Sequence, residues 1–409
     1  MNESGIKCFV VKFGGSSLAD GASISRAVNM VVKEVKRGTH LVVVVSAMGR
    51  TTDHLIEIVR EACGRSISGK DMDDILAMGE RTSARIFSAA LRARGLKVRM
   101  LDPSDPEWPL ITDASFTNAS PLIDLCKDRV LRLLKPLLDE GFVLVLPGFV
   151  GRSLDGSITT MGRGGSDVTA MVLADCLHAD QVILVTDVEG IMTADPKLVK
   201  DPKRLNKISV DLLVGLADTG TKFIRKKALK YKSPDIDVKV IKNTAGDLRA
   251  EGTIIYGSFP NEILVEASPE PAMAITIVGK SISEAPEIVR DALRIVKNAN
   301  IKLLGLSMNH NSVIFYLPMV DSADLFNKLH KVILSDEKAV AMAVRKDLAL
   351  IKVKGVGLEE TPGVVNGIAN ALNSNGINIY GIFTITSSVL VFVDLRDLER
   401  AAHLIKKVL

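Results

Sequence analysis

A chain of 409 residues exceeds what one hydrophobic core organises, so two or three domains are expected. Its composition, 47% apolar, 4% aromatic and 24% charged, is that of a folded globular protein and excludes a disordered one. A net charge of +4 is too small over this length for a dedicated nucleic-acid surface, and the longest apolar runs, such as 41–45 and 142–146, fall far short of a membrane span.

The chain opens on an apolar run, Cys8 to Phe13, that passes straight into a glycine turn and so does not read as a signal peptide. In that turn, Lys12-Phe13-Gly14-Gly15-Ser16-Ser17, two glycines let the backbone approach an anion while Lys12 projects from the strand end; a plain tight turn uses the same residues. The periodicity predicts a helix over Ile24 to Arg37, a strand over Leu41 to Ser46, helices over Asp73 to Arg94 and Leu122 to Asp139, and strands over Phe142 to Pro147 and Gln181 to Thr186. Buried strands alternating with crossover-length helices make an α/β protein, a three-layer α/β/α sandwich with a mostly parallel central sheet. The stretch Gly64 to Lys70 imitates a phosphate-binding P-loop but runs into Asp71 where a serine or threonine should reach magnesium, and it reads as a surface loop.

A second glycine turn, Thr160-Met161-Gly162-Arg163-Gly164-Gly165-Ser166-Asp167, opens the apolar helix from Val168 to Leu177. An arginine flanked by glycines at a helix start suits an anionic substrate, because its planar fork grips a carboxylate with two hydrogen bonds. Asp167 reads either as a first-turn residue favoured by the helix dipole or as a carboxylate that orients lysines around a phosphate. Phosphoryl transfer needs such cations and backbone N–H groups more than it needs covalent chemistry.

After Gly257 the texture changes, and Ser268-Pro269-Glu270-Pro271 reads as a linker. Two repeats follow: Ile301 to Gly305 matches Ile377 to Gly381 and Ser312 to Phe315 matches Ser388 to Val391, at one offset of 76 residues. The first predicts strand 273–279, helix 284–299, strands 301–308 and 312–318, helix 321–335 and strand 338–346, the order βαββαβ of a ferredoxin-like unit. The second predicts strand 348–355, helix 362–375, strands 377–385 and 388–394 and helix 395–408, one strand short. The run Ile263 to Ala267 supplies the missing strand, so the first unit is expected to be nested in the second.

Cys8, Cys63, Cys126 and Cys176 are widely spaced with no CxxC pair, as in a cytoplasmic protein with reduced thiols, and the six histidines are too scattered to ligate a metal.

The two glycine turns, together with Ser46-Ala47-Met48-Gly49-Arg50-Thr51-Thr52-Asp53, Gly79-Glu80 and Thr186-Asp187-Val188-Glu189-Gly190-Ile191, closely resemble the aspartate kinases in that family's order and spacing, and the resemblance covers essentially the whole chain. The repeats resemble paired ACT domains, best seen in Thr361-Pro362-Gly363-Val364 and Gly376-Ile377-Asn378-Ile379. The resemblance implies an amino-acid kinase domain over 1–262 and ACT domains over 263–346 and 347–409, with 263–267 completing the second. It implies transfer of the γ-phosphate of ATP to the side-chain carboxylate of L-aspartate, the first step of lysine, threonine and methionine biosynthesis. Mg2+ then arrives on the nucleotide phosphates, and no protein-built metal site is expected.

By the same resemblance Lys12, Asp167 and Lys222 organise the transferring phosphate, with Gly14, Gly15 and Ser16 beside the nucleotide. Ser46, Thr52 and Ser166 lie beside aspartate, Glu80 neutralises its amino group and Arg163 holds a carboxylate. Thr186, Asp187, Met192 and Lys197 take the rest of the nucleotide, with Met192 where the family usually has tyrosine and Lys197 where it has arginine. Plainer roles stand beside two of these: Thr52 as the cap of a helix from His54, and Glu80 as an exposed helix residue. Phe223 to Lys227 replaces the family's usual Val-Leu-His-Pro-Arg run, and the basic cluster of Lys222, Arg225, Lys226, Lys227, Lys230 and Lys232 reads as a solvated helix face beside a polyphosphate pocket.

The ACT resemblance implies an amino-acid effector, lysine or threonine, and a homodimer or higher homo-oligomer. It is weakened at Gly279 to Pro286, where a Pro-Gly helix start is missing, and at Ile385-Thr386-Ser387. Same-fold kinases of glutamate or N-acetylglutamate, and an inactive ACT-domain sensor, are the alternatives. Glu80 and Arg163 speak for a free amino acid, and Lys12, Asp167 and Lys222 together speak against an inactive sensor.

Overall fold

In the first unit, residues 1–261, apolar runs form β1 (Cys8–Phe13), β2 (His40–Val45), β3 (Val98–Met100), β4 (Ile111–Thr112), β5 (Val143–Pro147), β6 (Val150–Ser153), β7 (Ile158–Thr160), β8 (Gln181–Thr186), β9 (Lys207–Ser209), β10 (Asp237–Lys242) and β11 (Thr253–Tyr256). Between them lie α1 (Gly21–Val35), α2 (Thr51–Cys63), α3 (Gly69–Arg92), α4 (Ile123–Arg129), α5 (Lys135–Asp139), α6 (Gly165–Leu177), α7 (Val210–Ala217) and α8 (Lys226–Leu229). The computed structural model describes residues 6–64, 66–217, 224, 226–259, 262–355, 358, 361–385 and 387–409. Eight strands form one sheet in the order β3-β5-β2-β1-β8-β10-β11-β9; every pairing from β3 to β10 is parallel and β11 runs antiparallel to β10. A small second sheet, β4-β6-β7, stands apart.

Alternation along the strands assigns the faces. Phe9, Val11 and Phe13 of β1 join Leu41, Val43 and Val45 of β2 in a core with Val28 and Val31 of α1 and Phe87 and Leu91 of α3. The intervening positions, Lys12 among them, face the side on which α6 packs against β1, β2 and β8. Helices on both faces of a mainly parallel sheet give the three-layer sandwich. Among the described residues no helix is long and apolar enough to cross a membrane.

Helix bounds differ from expectation, most informatively at two helices. The helix expected over Leu122 to Asp139 contains a wider π turn, Val130–Leu134, in which the Lys135 N–H reaches the Val130 carbonyl. Pro136 has no N–H to donate and its ring crowds the preceding turn, so the helix widens there. Helix α3 begins at Gly69, ahead of the expected Asp73, because the Ser68 hydroxyl accepts from the Asp71 N–H at 3.1 Å. The end of the P-loop imitation is therefore a capped helix start and not a surface loop; Arg65 lies outside the described residues.

The second unit, residues 262–409, is an antiparallel sheet with helices α9 (Pro286–Asn298), α10 (Ala323–Leu334), α11 (Val364–Asn373) and α12 (Leu398–Val408). Its strands are β12 (Leu264–Ala267), β13 (Ala272–Gly279), β14 (Gly305–Met308), β15 (Ser312–Pro318), β16 (Ala339–Lys354), β17 (Gly381–Ile385) and β18 (Ser388–Asp394), in the order β14-β15-β13-β16-β18-β17, with β12 pairing 351–354 of β16. Both repeats begin their second strand at the glycine, Gly305 and Gly381, and not at the earlier expected 301 and 377. The two strands expected over 338–346 and 348–355 are one strand, β16, with a bulge opposite Ala272 to Ala274 and Asp347 at a φ of 61°. The extra residue shifts the alternation by one: Met342 and Val344 pack with α9 and α10, whereas Ala349, Ile351 and Val353 pack with α11 and α12. On the opposite face Tyr316 stacks on Phe392 at 4.2 Å and donates to the Tyr380 carbonyl at 2.8 Å.

Candidate active site

The first glycine turn lies at the C-terminal end of the parallel strand β1, the place where open α/β sheets bind ligands, and the second leads from β7 of the small sheet into α6. At the end of β1 the chain makes a short 3₁₀ turn, Gly15–Leu18, under which the β2 turn packs: the Gly49 N–H donates to the Gly15 carbonyl at 3.0 Å and the Ser46 N–H to that of Phe13 at 3.1 Å. A Cβ on Gly15 would lie 2.9 Å from the Ala47 carbonyl oxygen and 3.0 Å from that of Gly49, so only glycine fits. The second turn reaches α6 through Gly164 at a φ of 83°, and Gly165, Ser166 and Asp167 form the first turn of that helix.

The two turns meet. Lys12 Nζ lies 2.8 Å from Asp167 Oδ1, with side chains only 17% and 10% exposed, and the Ser46 hydroxyl donates to that of Ser166 at 3.1 Å. Around this contact lies a cleft of about 520 Å³ whose lining includes Lys12, Gly15, Ser46, Thr52, Glu80, Arg163, Ser166 and Asp167. Thr52 is the second residue of α2, which starts at Thr51, so it does not cap a helix from His54. Glu80 is 4% exposed, which removes its reading as a surface residue. Its Oε2 has no hydrogen-bond partner among the described residues, and burial pushes its pKa up to about 7 against the pull of the Ala47 N–H and of Lys12. Arg163 is exposed and makes no ion pair among the described residues.

Among the described residues, the expected nucleotide residues do not line this cleft, Gly15 and Lys12 excepted. Gly14 donates to the Val185 carbonyl at 3.1 Å, which sets the first turn beside the end of β8, where Thr186 and Asp187 hydrogen-bond to each other at 3.1 Å. Ser16 is exposed, whereas its neighbour Ser17 is buried on the Val185 carbonyl. Met192 is half-buried and bridges to Arg204, and Lys197 is exposed. Lys222, Phe223 and Arg225 lie outside the described residues. No group of three or more His, Cys, Asp or Glu converges as metal ligands among the described residues.

The solvated basic face needs correction at two members. Lys227 is half-buried, and its ammonium donates to Asn118 Oδ1 at 2.7 Å and to the carbonyls of Met161 at 2.7 Å and Ala119 at 3.2 Å, so burial pulls its pKa down. Lys232 is 4% exposed and donates to the carbonyls of Ser233 and Gly257. Each ammonium ties loops together by satisfying carbonyls, a role their basic neighbours hid in the sequence. Sequence reasoning also missed Asp73, whose carboxylate is fully buried beside the cleft. Its signal was available: it falls on the buried stripe of α3 with Leu76, Ala77, Glu80, Ala84 and Phe87.

Comparison with known proteins gives a consistent picture. The amino acid kinase family matches residues 7–242 and the ACT domain matches residues 343–407. The chain is 31% identical to an aspartokinase of Mycolicibacterium smegmatis over 408 residues, covering 96% of this chain and 93% of the relative. It is 30% identical to an aspartokinase of Corynebacterium glutamicum over 410 residues, covering 96% and 94%. Among solved structures, aspartate kinase from Synechocystis aligns with a TM-score of 0.78 at 26% identity, covering 98% of this chain and 68% of that one.

Proposed function

Since the chain belongs to the aspartokinases, within the amino acid kinase family, we propose that its cleft carries out the ATP-dependent phosphorylation of the side-chain carboxylate of L-aspartate to 4-phospho-L-aspartate. The observation that carries the assignment to a free amino acid is Glu80, a buried carboxylate with an oxygen unpartnered among the described residues, in the lining of a cleft that also holds Arg163. A buried anion without a cation is costly, and a substrate ammonium relieves that cost; an acetylated amine leaves it standing.

In this reading Arg163 grips a carboxylate, Glu80 takes the amino group, and Ser46, Thr52 and Ser166 orient the side-chain carboxylate for attack. A carboxylate oxygen of aspartate forms the new bond to the γ-phosphorus as the bond from that phosphorus to the β,γ-bridging oxygen breaks, leaving ADP. Lys12 steadies the charge on the transferring group, held in place by Asp167, and Gly14, Gly15 and Ser16 supply the turn beside the phosphates. Lys222, Thr186, Asp187, Met192 and Lys197 complete the nucleotide side. Mg2+ rides on the nucleotide phosphates. The reaction belongs in the cytoplasm, which the four free cysteines suit.

The repeats of the second unit support an amino-acid effector site, for lysine or threonine, and a homodimer or larger assembly through the ACT units. The test is an ATP and magnesium assay that traps acyl phosphate with hydroxylamine over aspartate, glutamate and N-acetylglutamate. Turnover with aspartate well above that with glutamate, and none with N-acetylglutamate, is expected, and turnover confined to either other acid overturns the substrate assignment. Adding lysine or threonine to the same assay tests the effector.

A further inference from the structure

Helix α3 is held at several points, with Arg81 and Arg85 both pairing with Asp102 at 2.7 Å, and two further contacts fall beside the cleft. Gly79 lies against the β2 turn, where an added Cβ would sit 2.9 Å from the Ala47 Cβ. Six residues earlier, about 9 Å along the axis, the Asp73 carboxylate accepts three hydrogen bonds. They come from the N–H groups of Thr117 and Thr160, both at 2.9 Å, and from the Thr160 hydroxyl at 2.5 Å. Thr117 and Thr160 both line the cleft, and Thr160 stands two residues before Gly162 in the turn that carries Arg163.

Stability alone does not explain a carboxylate here. Asp73 is fully buried with no ion-pair partner among the described residues, and an apolar side chain on this stripe would avoid its desolvation. What the three bonds supply is local register, because they tie the N-terminal part of α3 to the end of β7, where the second glycine turn begins. Glu80 lies seven residues on, two turns along the same face of the helix.

We infer that Asp73 is a positioning residue that sets the span between Glu80 and Arg163, and with it the length of the amino dicarboxylate the cleft accepts. The inference rests on the reading that Glu80 takes the amino group and Arg163 a carboxylate. Aspartate and glutamate differ by one methylene, which a site of fixed span discriminates by roughly 10- to 200-fold. A helix free to shift by a fraction of its rise per residue levels that difference.

The test compares kcat/KM for aspartate and glutamate in the full-length wild type, Asp73→Ala, Asp73→Asn and Thr160→Val, with glutamate followed both as substrate and as competitive inhibitor. Asp73→Ala should lower the aspartate-to-glutamate ratio by about tenfold or more, chiefly through KM for the amino acid, while KM for ATP stays within about twofold. Asp73→Asn should keep the ratio within about threefold of wild type, because its amide oxygen accepts from both N–H groups while the Thr160 hydroxyl turns to accept from the NH2. If Asp73→Ala does not fold, Thr160→Val carries the test with one bond removed, and the ratio should fall by about threefold. A folded variant that loses turnover equally on both amino acids, or raises KM for ATP as much as for aspartate, overturns the inference. A wild-type enzyme that turns over no aspartate defeats the functional reading instead, so the first measurement tells the two failures apart.

Discussion

Replacing Glu80 by glutamine should stabilise the folded protein above neutral pH while weakening aspartate binding. Burial raises the pKa of Glu80 from 4.5 to about 7 in the folded chain, and unfolding returns it to the lower value. Between those two values the folded state holds a proton that the unfolded state has released, so stability falls as pH rises through that window and is flat above it. At about 1.4 kcal/mol per pH unit the loss totals about 3 kcal/mol. Glutamine has the same shape and no charge, so the variant escapes the loss. Its melting temperature should match wild type near pH 4.5 and exceed it by roughly 6 to 12 °C at pH 8, given the usual response of a domain this size.

The same change removes the anion assigned to the substrate ammonium, and KM for aspartate should rise by roughly 100-fold. In the wild type kcat/KM for aspartate should climb with pH up to about 7 and then level, because the ionised carboxylate is the binding form. Thermal melts from pH 4.5 to 8 and a pH profile of kcat/KM read both effects. A melting difference that does not change with pH would falsify the burial argument, and an unchanged KM for aspartate removes Glu80 from the substrate site.

Lys12→Ala should lower kcat by roughly 10² to 10³, the scale for losing one well-placed transition-state donor, and near-normal turnover would release Lys12 from its role. Arg163→Lys keeps the charge but loses the two-pronged grip, so KM for aspartate should rise by about tenfold with kcat little changed; steady-state kinetics at saturating ATP decides it. Gly15→Ala places a methyl against backbone oxygens of Ala47 and Gly49, neither of which is a flexible side-chain end, and should cost about 1–3 kcal/mol in a thermal or denaturant melt. A melt unchanged from wild type contradicts the close packing of the two strand ends.

Much of the fold was legible because its signals are local. Cys8–Phe13, His40–Val45 and Gln181–Thr186 are strand-length runs that are apolar on both faces except at Lys12 and at their ends, which is how parallel strands buried between helices read. The offset between the repeats likewise exposed the common pattern of β15 and β18. Other boundaries moved where a local competitor won: the Ser68 cap extended α3 forward, Pro136 forced a π turn, and the bulge at Asp347 let one strand serve both repeats.

From its sequence alone, the chain settles where its glycine turns fall and which way Lys12 points, because glycine tolerance and strand alternation are properties of a few neighbouring residues. Tertiary structure alone decides that Lys12 meets Asp167, that Glu80 is buried with an oxygen that no described residue bonds, and that Asp73 and Lys227 are sealed against backbone groups from distant loops. The physical reason is that burial and partnership depend on which segments the packed sheet brings together, and no stretch of local sequence carries that information.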